Sequence, residues 1–319
     1  MYPMILKPAL KDYIWGGQRL KTEFHKQCDY TKLAESWELS CHKDGLSIIN
    51  NGELQGKSLL DYINSDRQNI LGTKCEKFDY FPILIKLIDA KDNLSIQVHP
   101  DDEYALKNEG QYGKNEMWYV IDANPDSFIY YGFNRDISPD EFKERIENNS
   151  FLEILNKVKV KKGDTFFIES GTIHAIGSGI LLAEVQQSSN LTYRVYDYNR
   201  LGNDGRPREL HVDKAAEVVN FNKKLKQEYT IIQSECENYS SALLSSCNHF
   251  NVYLHDIRKE IKLEANRESF QCLLCLYGNL NIESDNSKIE IRKGQTIFIP
   301  ANYGKYNVIG TGQLLLTTI

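Results

Sequence analysis

The chain has 319 residues and a formal net charge of −6, the balance of an ordinary, mildly acidic globular protein with room for about two domains. No basic stripe favours nucleic-acid binding, no apolar run approaches the roughly 18 residues of a membrane helix, and the first residues carry no signal-peptide pattern. The seven cysteines are odd in number and scattered along the chain, which is typical of a protein whose thiols stay reduced. Because thiols stay reduced in the cytosol, we expect a soluble cytoplasmic protein.

Strands predominate along the chain, because short apolar or alternating runs recur between turn residues. The clearest predicted strands cover residues 79–88, 94–99, 117–121, 164–168, 180–186 and 192–198, and a similar series follows Glu228. Helices are predicted over residues 58–64 and 212–219. Ser138 before Pro139 is typical of a helix start and places a short helical insertion at residues 136–157. The sequence therefore predicts an all-β fold with one helical insertion.

Two segments share one pattern and indicate an internal duplication. Residues 161–168 (KKGDTFFI) are similar to residues 292–299 (RKGQTIFI), and a short turn follows each. A lysine-glycine turn, an aromatic strand and a second turn are typical of the middle of a cupin barrel, a double-sheet jelly roll. We therefore predict two cupin-like jelly-roll barrels.

The polar segment at residues 220–237 is the predicted boundary between these barrels. The first barrel, with the insertion, would then cover residues 1–228, and the second would cover residues 229–319. Where the first repeat has His174, the second has Lys305. A metal that depends on this histidine is therefore expected in the first barrel alone.

Four side chains with metal-binding atoms stand at the ends of predicted strands. Gln97 and His99 are two residues apart, so they share a face of one strand, which ends at Pro100. Glu116 begins the next strand, and His174 follows a serine-glycine turn. Taken alone, each of these residues is more often a solvent-exposed residue at a strand end, or a histidine in the core, than a metal ligand. Together they supply four ligands that suit zinc with an open position and equally suit non-haem Fe(II).

Three charged residues accompany these ligands. Lys114 lies two residues before Glu116, whereas Glu184 and Arg194 lie in consecutive predicted strands. Glu184 and Arg194 could form a structural salt bridge. Alternatively, they could supply an acid–base group and a guanidinium that stabilises negative charge beside the metal. A divalent metal with a single glutamate would leave a positively charged site, which favours an anionic intermediate.

Cys272 and Cys275 have the spacing of a metal-binding pair. They lie in an apolar run that is typical of a strand, where positions three apart point to opposite faces. No second pair of this kind occurs in the sequence. We therefore expect two buried core thiols rather than a zinc site.

Six segments, spread over the first two thirds of the chain, match the motifs of one known family. They are YIWGG at residues 13–17, AESWE at 34–38, SIQVHPDD at 95–102, GKNEMWY at 113–119, GTIHAIG at 171–177 and YRVYDY at 193–198. The third and fifth together are highly specific. On these motifs the sequence resembles the type I mannose-6-phosphate isomerases, a zinc-dependent cupin family, in their short bacterial form. The last third shows only jelly-roll features.

The resemblance implies a cofactor, a set of active-site residues and a reaction. One zinc ion per chain would be held by Gln97, His99, Glu116 and His174. The implied catalytic residues are Arg194, Lys114 and Glu184. The implied reaction is the reversible interconversion of mannose 6-phosphate and fructose 6-phosphate through a cis-enediol or enediolate. A small sugar phosphate is then the expected partner, with no nucleic acid and no membrane.

Two assignments stay open in the sequence. Glu184 has suitable chemistry to carry the proton between C1 and C2, with Lys114 or a water molecule at the metal as alternatives. Lys114 and Arg200 are candidates for the phosphate on charge alone. Two other functions also stay open: a non-haem Fe(II) cupin oxygenase, and a non-catalytic cupin that binds sugar phosphates. The presence of Arg194 with Lys114 and Glu184 argues against the second of these.

Overall fold

The computed structural model describes residues 1–202, 205–224, 232–285 and 287–319. Its strands are β1 (Met4–Lys7), β2 (Ala9–Lys11), β3 (Glu35–Leu39), β4 (Cys41–His42), β5 (Gly45–Leu46), β6 (Ile48–Ile49), β7 (Ile83–Ala90), β8 (Ile96–Val98), β9 (Glu116–Ala123), β10 (Phe128–Phe133), β11 (Leu155–Lys159), β12 (Thr165–Ile168), β13 (His174–Ile176), β14 (Ile180–Gln187), β15 (Tyr193–Tyr196), β16 (Ile232–Glu235), β17 (Tyr239–Ser246), β18 (Asn251–Ile257), β19 (Glu260–Ala265), β20 (Gln271–Ser284), β21 (Ser287–Arg292), β22 (Thr296–Ile299) and β23 (Gly304–Thr318). Its helices are α1 (Arg19–Thr22), α2 (Leu59–Ser65), α3 (Arg67–Leu71), α4 (Asp102–Glu109), α5 (Pro139–Glu147) and α6 (Val212–Val218), with 3-10 turns at Thr73–Cys75 and Phe151–Ile154. None of the helices in these ranges is long and apolar enough to cross a membrane.

Two facing antiparallel sheets form the first barrel. One has the strand order β12-β9-β14-β7-β3-β2 and the other has the order β11-β10-β13-β8-β15. The core between them includes Trp118 and Leu182 from the first sheet and Tyr131 and Ile176 from the second. Because side chains alternate along a strand, every second residue of these strands points into the barrel. This alternation brings the candidate site residues to the barrel interior.

The helical insertion covers the outer face of the five-stranded sheet. Phe142 and Ile146, four residues apart on α5, are buried there together with Ile96 and Val98. The helix starts where the sequence predicts, since the Ser138 hydroxyl accepts a hydrogen bond from a backbone N–H of the first turn.

The helical part of the insertion ends earlier than predicted. The 3-10 turn stops at Ile154, and the next residues form β11, which pairs with β10. Exposed side chains alternate with more buried ones along β11, the period of a strand at a sheet edge. The remainder of the predicted insertion is therefore part of the five-stranded sheet.

The second barrel is built, within the described ranges, from a ten-stranded sheet. Its strand order is β16-β17-β18-β23-β20-β22-β1-β6, with β19 beside β23 and β21 beside β20. The long strand β23 pairs with β19 before Gly310 and with β18 from Gly312 onward. Across from this change of partner lies Gly278, where an added Cβ would meet the Thr311 carbonyl oxygen at 2.2 Å, so only glycine fits. Lys305 is exposed near the start of β23. The predicted all-β fold with two cupin-like barrels is confirmed.

The outer face of the six-stranded sheet packs against the ten-stranded sheet. Leu181 and Val185 of β14 share one buried core with Phe298 of β22 and with Cys272. Cys275 belongs to a different core, inside the second barrel. Both thiols are free and fully buried, so they are core thiols, as predicted.

Two early strands complete the second barrel. β1 pairs with β22, and β6 pairs with β1, so residues 4–7 and 48–49 extend the sheet of the last third. The predicted boundary between residues 228 and 229 lies outside the described residues. The division of the chain at that point stays a prediction.

Candidate active site

A row of three side chains crosses the six-stranded sheet inside the first barrel. Glu184 on β14 is the cross-strand partner of Lys86 on β7 and of Trp118 on β9, and cross-strand partners share a face. The Lys86 Nζ lies 3.0 Å from Glu184 Oε1, and the Trp118 Nε1–H donates to Glu184 Oε2 at 2.9 Å. Both carboxylate oxygens of Glu184 are thereby held in place.

A second row crosses the facing five-stranded sheet. Gln97 on β8 is the cross-strand partner of His174 on β13 and of Arg194 on β15. The Gln97 Nε2 lies 3.5 Å from the His174 Nε2. Gln97 and Arg194 line the same cavity as Glu184. The two sheets therefore direct their predicted site residues toward one space.

The predicted metal ligands gather around Glu116, the first residue of β9. His99, Glu116 and His174 are buried, and each offers a ligand atom within 4.8 Å of the other two. The His99 Nε2 lies 3.2 Å from Glu116 Oε1, and the His174 Nε2 lies 3.6 Å from Glu116 Oε2. With Gln97 beside His174, the structure brings the four predicted ligands together.

Backbone carbonyls hold both imidazoles. The His99 Nδ1 lies 2.9 Å from the Leu191 carbonyl oxygen, and the His174 Nδ1 lies 2.8 Å from the Thr172 carbonyl oxygen. An Nδ1–H that donates to a carbonyl leaves the lone pair on Nε2, the nitrogen nearer Glu116. Histidines that bind metals are usually held in this way.

The protonation states of these groups also suit a cation. Burial lowers the pKa of His99 to about 3 and also lowers the pKa of His174, so both imidazoles are neutral at pH 7. Burial would raise the pKa of Glu116, but Lys114 and His99 hold it well below its usual value. Two neutral imidazoles and one carboxylate are the ligand states that a divalent metal requires. The residues present therefore fit a metal ion.

Lys114 lies within this group of ligands. Its Nζ lies 2.5 Å from Glu116 Oε1 and 3.4 Å from His99 Nε2, and its side chain is buried. It also lines the cavity. The ammonium is therefore placed where it would share the Glu116 carboxylate with a bound cation.

Lys86 is a buried cation that the sequence analysis missed. Its Nζ lies 3.7 Å from Glu35 Oε2 as well as close to Glu184. Burial opposes its charge, but Glu184 and Glu35 outweigh burial and raise the pKa of Lys86. Burial and the neighbouring Glu116 raise the pKa of Glu184. The sequence does contain one indication of this buried cation, the lone lysine in the apolar run ILIKLI. Lysines are seldom buried unless they are paired, so a lysine in such a run indicates a charged partner.

Arg194 does not pair with Glu184. An Nη1–H of Arg194 donates to the Glu209 carbonyl oxygen at 2.9 Å, and Glu184 pairs with Lys86 instead. The structural salt bridge considered from the sequence is therefore not formed. The buried Nε of Arg194 has no hydrogen-bond partner among the described residues. This guanidinium keeps a donor for a ligand.

Two further arginines surround Asp197 beside Arg194. The carboxylate of Asp197 accepts hydrogen bonds from Arg200 and from the Nε–H of Arg208, the latter at 2.7 Å. The other donors of Arg200 bind the backbone carbonyls of Asn93 and Asp197. Arg208 lines the cavity, and burial together with Arg208 lowers the pKa of Arg194. The sequence analysis missed Arg208, which follows the last predicted strand of the first barrel.

Gln97, Glu184 and Arg194 line one cavity of about 280 Å³. The charged residues in its lining are Glu35, Lys86, Lys114, Glu184, Arg194 and Arg208. Four cations against two carboxylates leave a surplus of positive charge. Such a cavity suits a small anionic ligand.

Comparisons with known proteins agree with this geometry. The family model "Phosphomannose isomerase type I, catalytic domain" matches residues 4–126, and "Mannose-6-phosphate isomerase, cupin domain" matches residues 241–319. The probable mannose-6-phosphate isomerase GmuF of Bacillus subtilis (strain 168) is 36% identical over 320 residues, which cover 99% of each chain. The mannose-6-phosphate isomerase of Streptococcus mutans is 36% identical over 298 residues, which cover 93% of this chain and 92% of its own.

A solved structure has the same fold throughout. The crystal structure of the mannose 6-phosphate isomerase from Bacillus subtilis matches with a TM-score of 0.94 and 33% identity, over 100% of both chains. These likenesses extend from the first strand to the last, over both barrels. On full-length identity above 30% and the two matching family models, the chain belongs to the type I phosphomannose isomerase family of enzymes.

Proposed function

We propose that the chain interconverts mannose 6-phosphate and fructose 6-phosphate, with one zinc ion bound by Gln97, His99, Glu116 and His174. The observation that carries this proposal is the position of Glu184. Its buried carboxylate shares one cavity with Gln97 and lies in the strand next to the one that Glu116 begins. An aldose–ketose isomerase needs a proton carrier within reach of a positively charged centre, and this arrangement supplies both.

The four candidate ligands suit zinc in number and type. Two imidazole nitrogens, one carboxylate and one amide oxygen make a mixed nitrogen and oxygen shell, which can keep a position open. The Gln97 oxygen would face this group after a flip of the amide, whose nitrogen and oxygen exchange places by rotation. When bound, the zinc ion would supply a positive charge that favours the enediolate.

Glu184 is the proton carrier in this proposal. As a carboxylate it takes the proton from C2 of mannose 6-phosphate and returns it to C1, while a second proton moves from O2 to O1. Its raised pKa brings the carboxyl closer to neutral pH, where a group of this kind exchanges protons efficiently. The hydrogen bond from Trp118 and the ion pair with Lys86 fix the orientation of the Glu184 carboxylate. Lys114 is the alternative carrier.

Arg194 stabilises the negative charge that develops on the sugar oxygens. It lines the cavity beside Gln97, and its buried Nε has no acceptor among the described residues. A donor that is already in place and unpaired stabilises an oxyanion without reorganisation of the site.

Arg208 is the candidate for the phosphate. Three arginines surround Asp197, so this part of the site keeps an excess of positive charge. Arg208 gives its Nε–H and an Nη2–H to Asp197 and lines the cavity, so its remaining Nη donors are left for a phosphate. Arg200 is occupied by Asp197 and by backbone carbonyls, and Lys114 lies among the metal ligands. We therefore assign phosphate binding to Arg208 rather than to Arg200 or Lys114.

Family membership favours this isomerase reaction over a non-haem Fe(II) oxygenase. The buried pair of Lys86 and Glu184 favours catalysis over simple binding, because both residues line the cavity and titratable groups with shifted pKa values cluster at catalytic sites.

The reaction can be tested with the zinc-loaded chain and mannose 6-phosphate, by coupling fructose 6-phosphate formation to NADP reduction. We expect turnover that a chelator removes and added zinc restores. Oxygen uptake by the iron-loaded chain, with no NADP reduction by the zinc-loaded chain, would replace the isomerase with an oxygenase. Tight binding of mannose 6-phosphate without turnover would leave a non-catalytic cupin.

The proton carrier can be tested by exchange of the C2 hydrogen of mannose 6-phosphate in deuterium oxide. Glu184→Gln should abolish this exchange and keep the zinc. Exchange at an unchanged rate would transfer the role to Lys114, and Lys114→Met would then abolish it.

A further inference from the structure

A buried amide connects the segments that carry the candidate metal ligands, on the side away from the cavity. Gln187, the last residue of β14, is fully buried. Its Oε1 accepts hydrogen bonds from the backbone N–H and from the Nδ2–H of Asn115, at 2.8 and 2.6 Å. Its Nε2–H donates to Asp102 Oδ1 at 3.0 Å. One side chain therefore acts as acceptor for one segment and donor for another.

Asn115 extends this connection to two ligand-bearing segments. It directly precedes Glu116 in the chain. Its Oδ1 accepts a hydrogen bond from the Ser170 backbone N–H at 2.9 Å, in the turn that leads to His174. The side chain of Asn115 thus ties the start of β9 to the turn between β12 and β13.

Asp102 extends the connection to the third segment. It follows His99 closely, in the first turn of α4. Its Oδ1 also accepts a hydrogen bond from the Gly113 backbone N–H at 2.8 Å. One carboxylate oxygen of Asp102, in the segment after β8, therefore binds both Gln187 and the backbone of Gly113 in the segment before β9.

We infer that Gln187 is a positioning residue for the metal, because its amide fixes the relative placement of the segments that present His99, Glu116 and His174. This inference rests on the zinc site of the proposed function. Each of these three ligands lies at or beside the end of a strand, where strand pairing and a few backbone hydrogen bonds, such as Gly171 N–H to the His99 carbonyl at 2.8 Å, join the segments.

The amide of Gln187 adds a side-chain connection at this point, between Asn115 and Asp102. An amide can accept and donate at once, which no apolar side chain of the same size can do. Residues that hydrogen-bond a metal ligand directly typically contribute 10–100-fold to metal affinity. Gln187 acts one step further out, through Asn115 and Asp102, so we expect the lower end of that range, about tenfold.

Gln187→Met tests the inference, because methionine has a similar length and removes both hydrogen-bonding groups. We expect zinc release to a chromophoric chelator to become about tenfold faster. The matched control is Gln271→Met on β20, whose amide also makes two hydrogen bonds, with Tyr306 and with the Glu264 carbonyl. The control should lower the thermal midpoint of the metal-free chain and leave zinc release unchanged.

Zinc release by Gln187→Met at the rate of the unmodified chain, with a lowered thermal midpoint, would overturn the inference, since Gln187 would then be structural only. If Gln187→Met does not fold, Asn115→Ala gives the same test. It removes the side-chain bonds to Gln187 and Ser170 and keeps the backbone bond, so a smaller acceleration is expected. Release is measured without substrate, so a chain that binds zinc but does not isomerise would overturn the reaction alone. A chain that binds no zinc would overturn both proposals.

Discussion

The His249 imidazole lies 3.4 Å from the Asp102 carboxylate, and this contact joins the loop between β17 and β18 to the first turn of α4. Burial alone would lower the pKa of His249, but hydrogen bonds with Asp102 and Cys247 raise it to about 9. The bond with His249 in turn lowers the pKa of Asp102. At pH 7 the second barrel therefore holds the segment that follows His99 with an ion pair.

This pair should make stability depend on pH. The folded pKa of His249 lies above the value of about 6.5 expected in the unfolded chain, so its contribution is complete below pH 6.5 and disappears as the pH rises through 9. His249→Gln should lower the free energy of unfolding by on the order of 1 kcal/mol at pH 6, since the Asp102 carboxylate is partly exposed and screened. Urea unfolding at pH 6 and pH 10 measures this, and an equal loss at both pH values would exclude the ion pair.

Arg194→Ala should separate catalysis from binding. If the guanidinium stabilises charge that appears only in the enediolate, its loss should lower kcat by about 10²–10³ and change KM little. Arg194→Lys should restore only part of the rate, because an ammonium lacks the planar fork. Kinetics and zinc content of the two variants test this. A near-normal kcat for Arg194→Ala, with a lower thermal midpoint, would make Arg194 structural.

Arg208→Gln should weaken binding of the phosphate end of the substrate. A hydrogen bond to a charged group is worth about 1.5–3 kcal/mol, so KM for mannose 6-phosphate should rise roughly 10–100-fold with a smaller change in kcat. Arg200→Gln is the matched control, since Arg200 also binds Asp197 but has its other donors on backbone carbonyls. A larger rise in KM for Arg200→Gln would instead indicate that Arg200 binds the phosphate.

Metal analysis should find about one zinc per chain, and His174→Ala should lose it. His255→Ala is a useful control, because His255 is also a buried histidine but lies in the second barrel, on β18, with Ser241 as its partner. We expect this variant to keep its zinc. Two tightly bound metal ions per chain would contradict a vacant second barrel.

The double variant with Cys272→Ala and Cys275→Ala should lose roughly 1–3 kcal/mol of stability, because each thiol fills a different apolar core. Its zinc content should not change. Cys236→Ala, at an exposed position, should leave the thermal midpoint nearly unchanged. Loss of zinc from the double variant would indicate that Cys272 and Cys275 bind the metal.

The grouping of the candidate metal ligands could be predicted from the sequence because it depends on local patterns. Gln97 and His99 share a face through the two-residue period of a strand, and His174 follows a recognisable turn. The helix α4 was missed although Asp101 caps its start and Gly110 ends it in the left-handed conformation. It has a single buried residue, Ala105, so no apolar periodicity marked it.

Lys86 and Arg208 could not be placed from the sequence because long-range pairing decides their environment. Lys86 acquires its role from β14, which brings Glu184 beside it, and from Glu35, which approaches from β3. Arg208 reaches the cavity through its pairing with Asp197 across a loop. Neither contact leaves a periodic signal along the chain.

The pairing of β1 with β22 also constrains how the protein is made. β1 leaves the ribosome long before β22, so Met4–Lys7 can pair with β6 alone, on one edge, until the sheet of the last third has emerged. During that interval the edge of β1 that β22 later occupies is open to pairing with another chain. Cutting the chain between the barrels would therefore give two pieces that each depend on the other, rather than two independent proteins. The second barrel closes around β1 only when translation is nearly over.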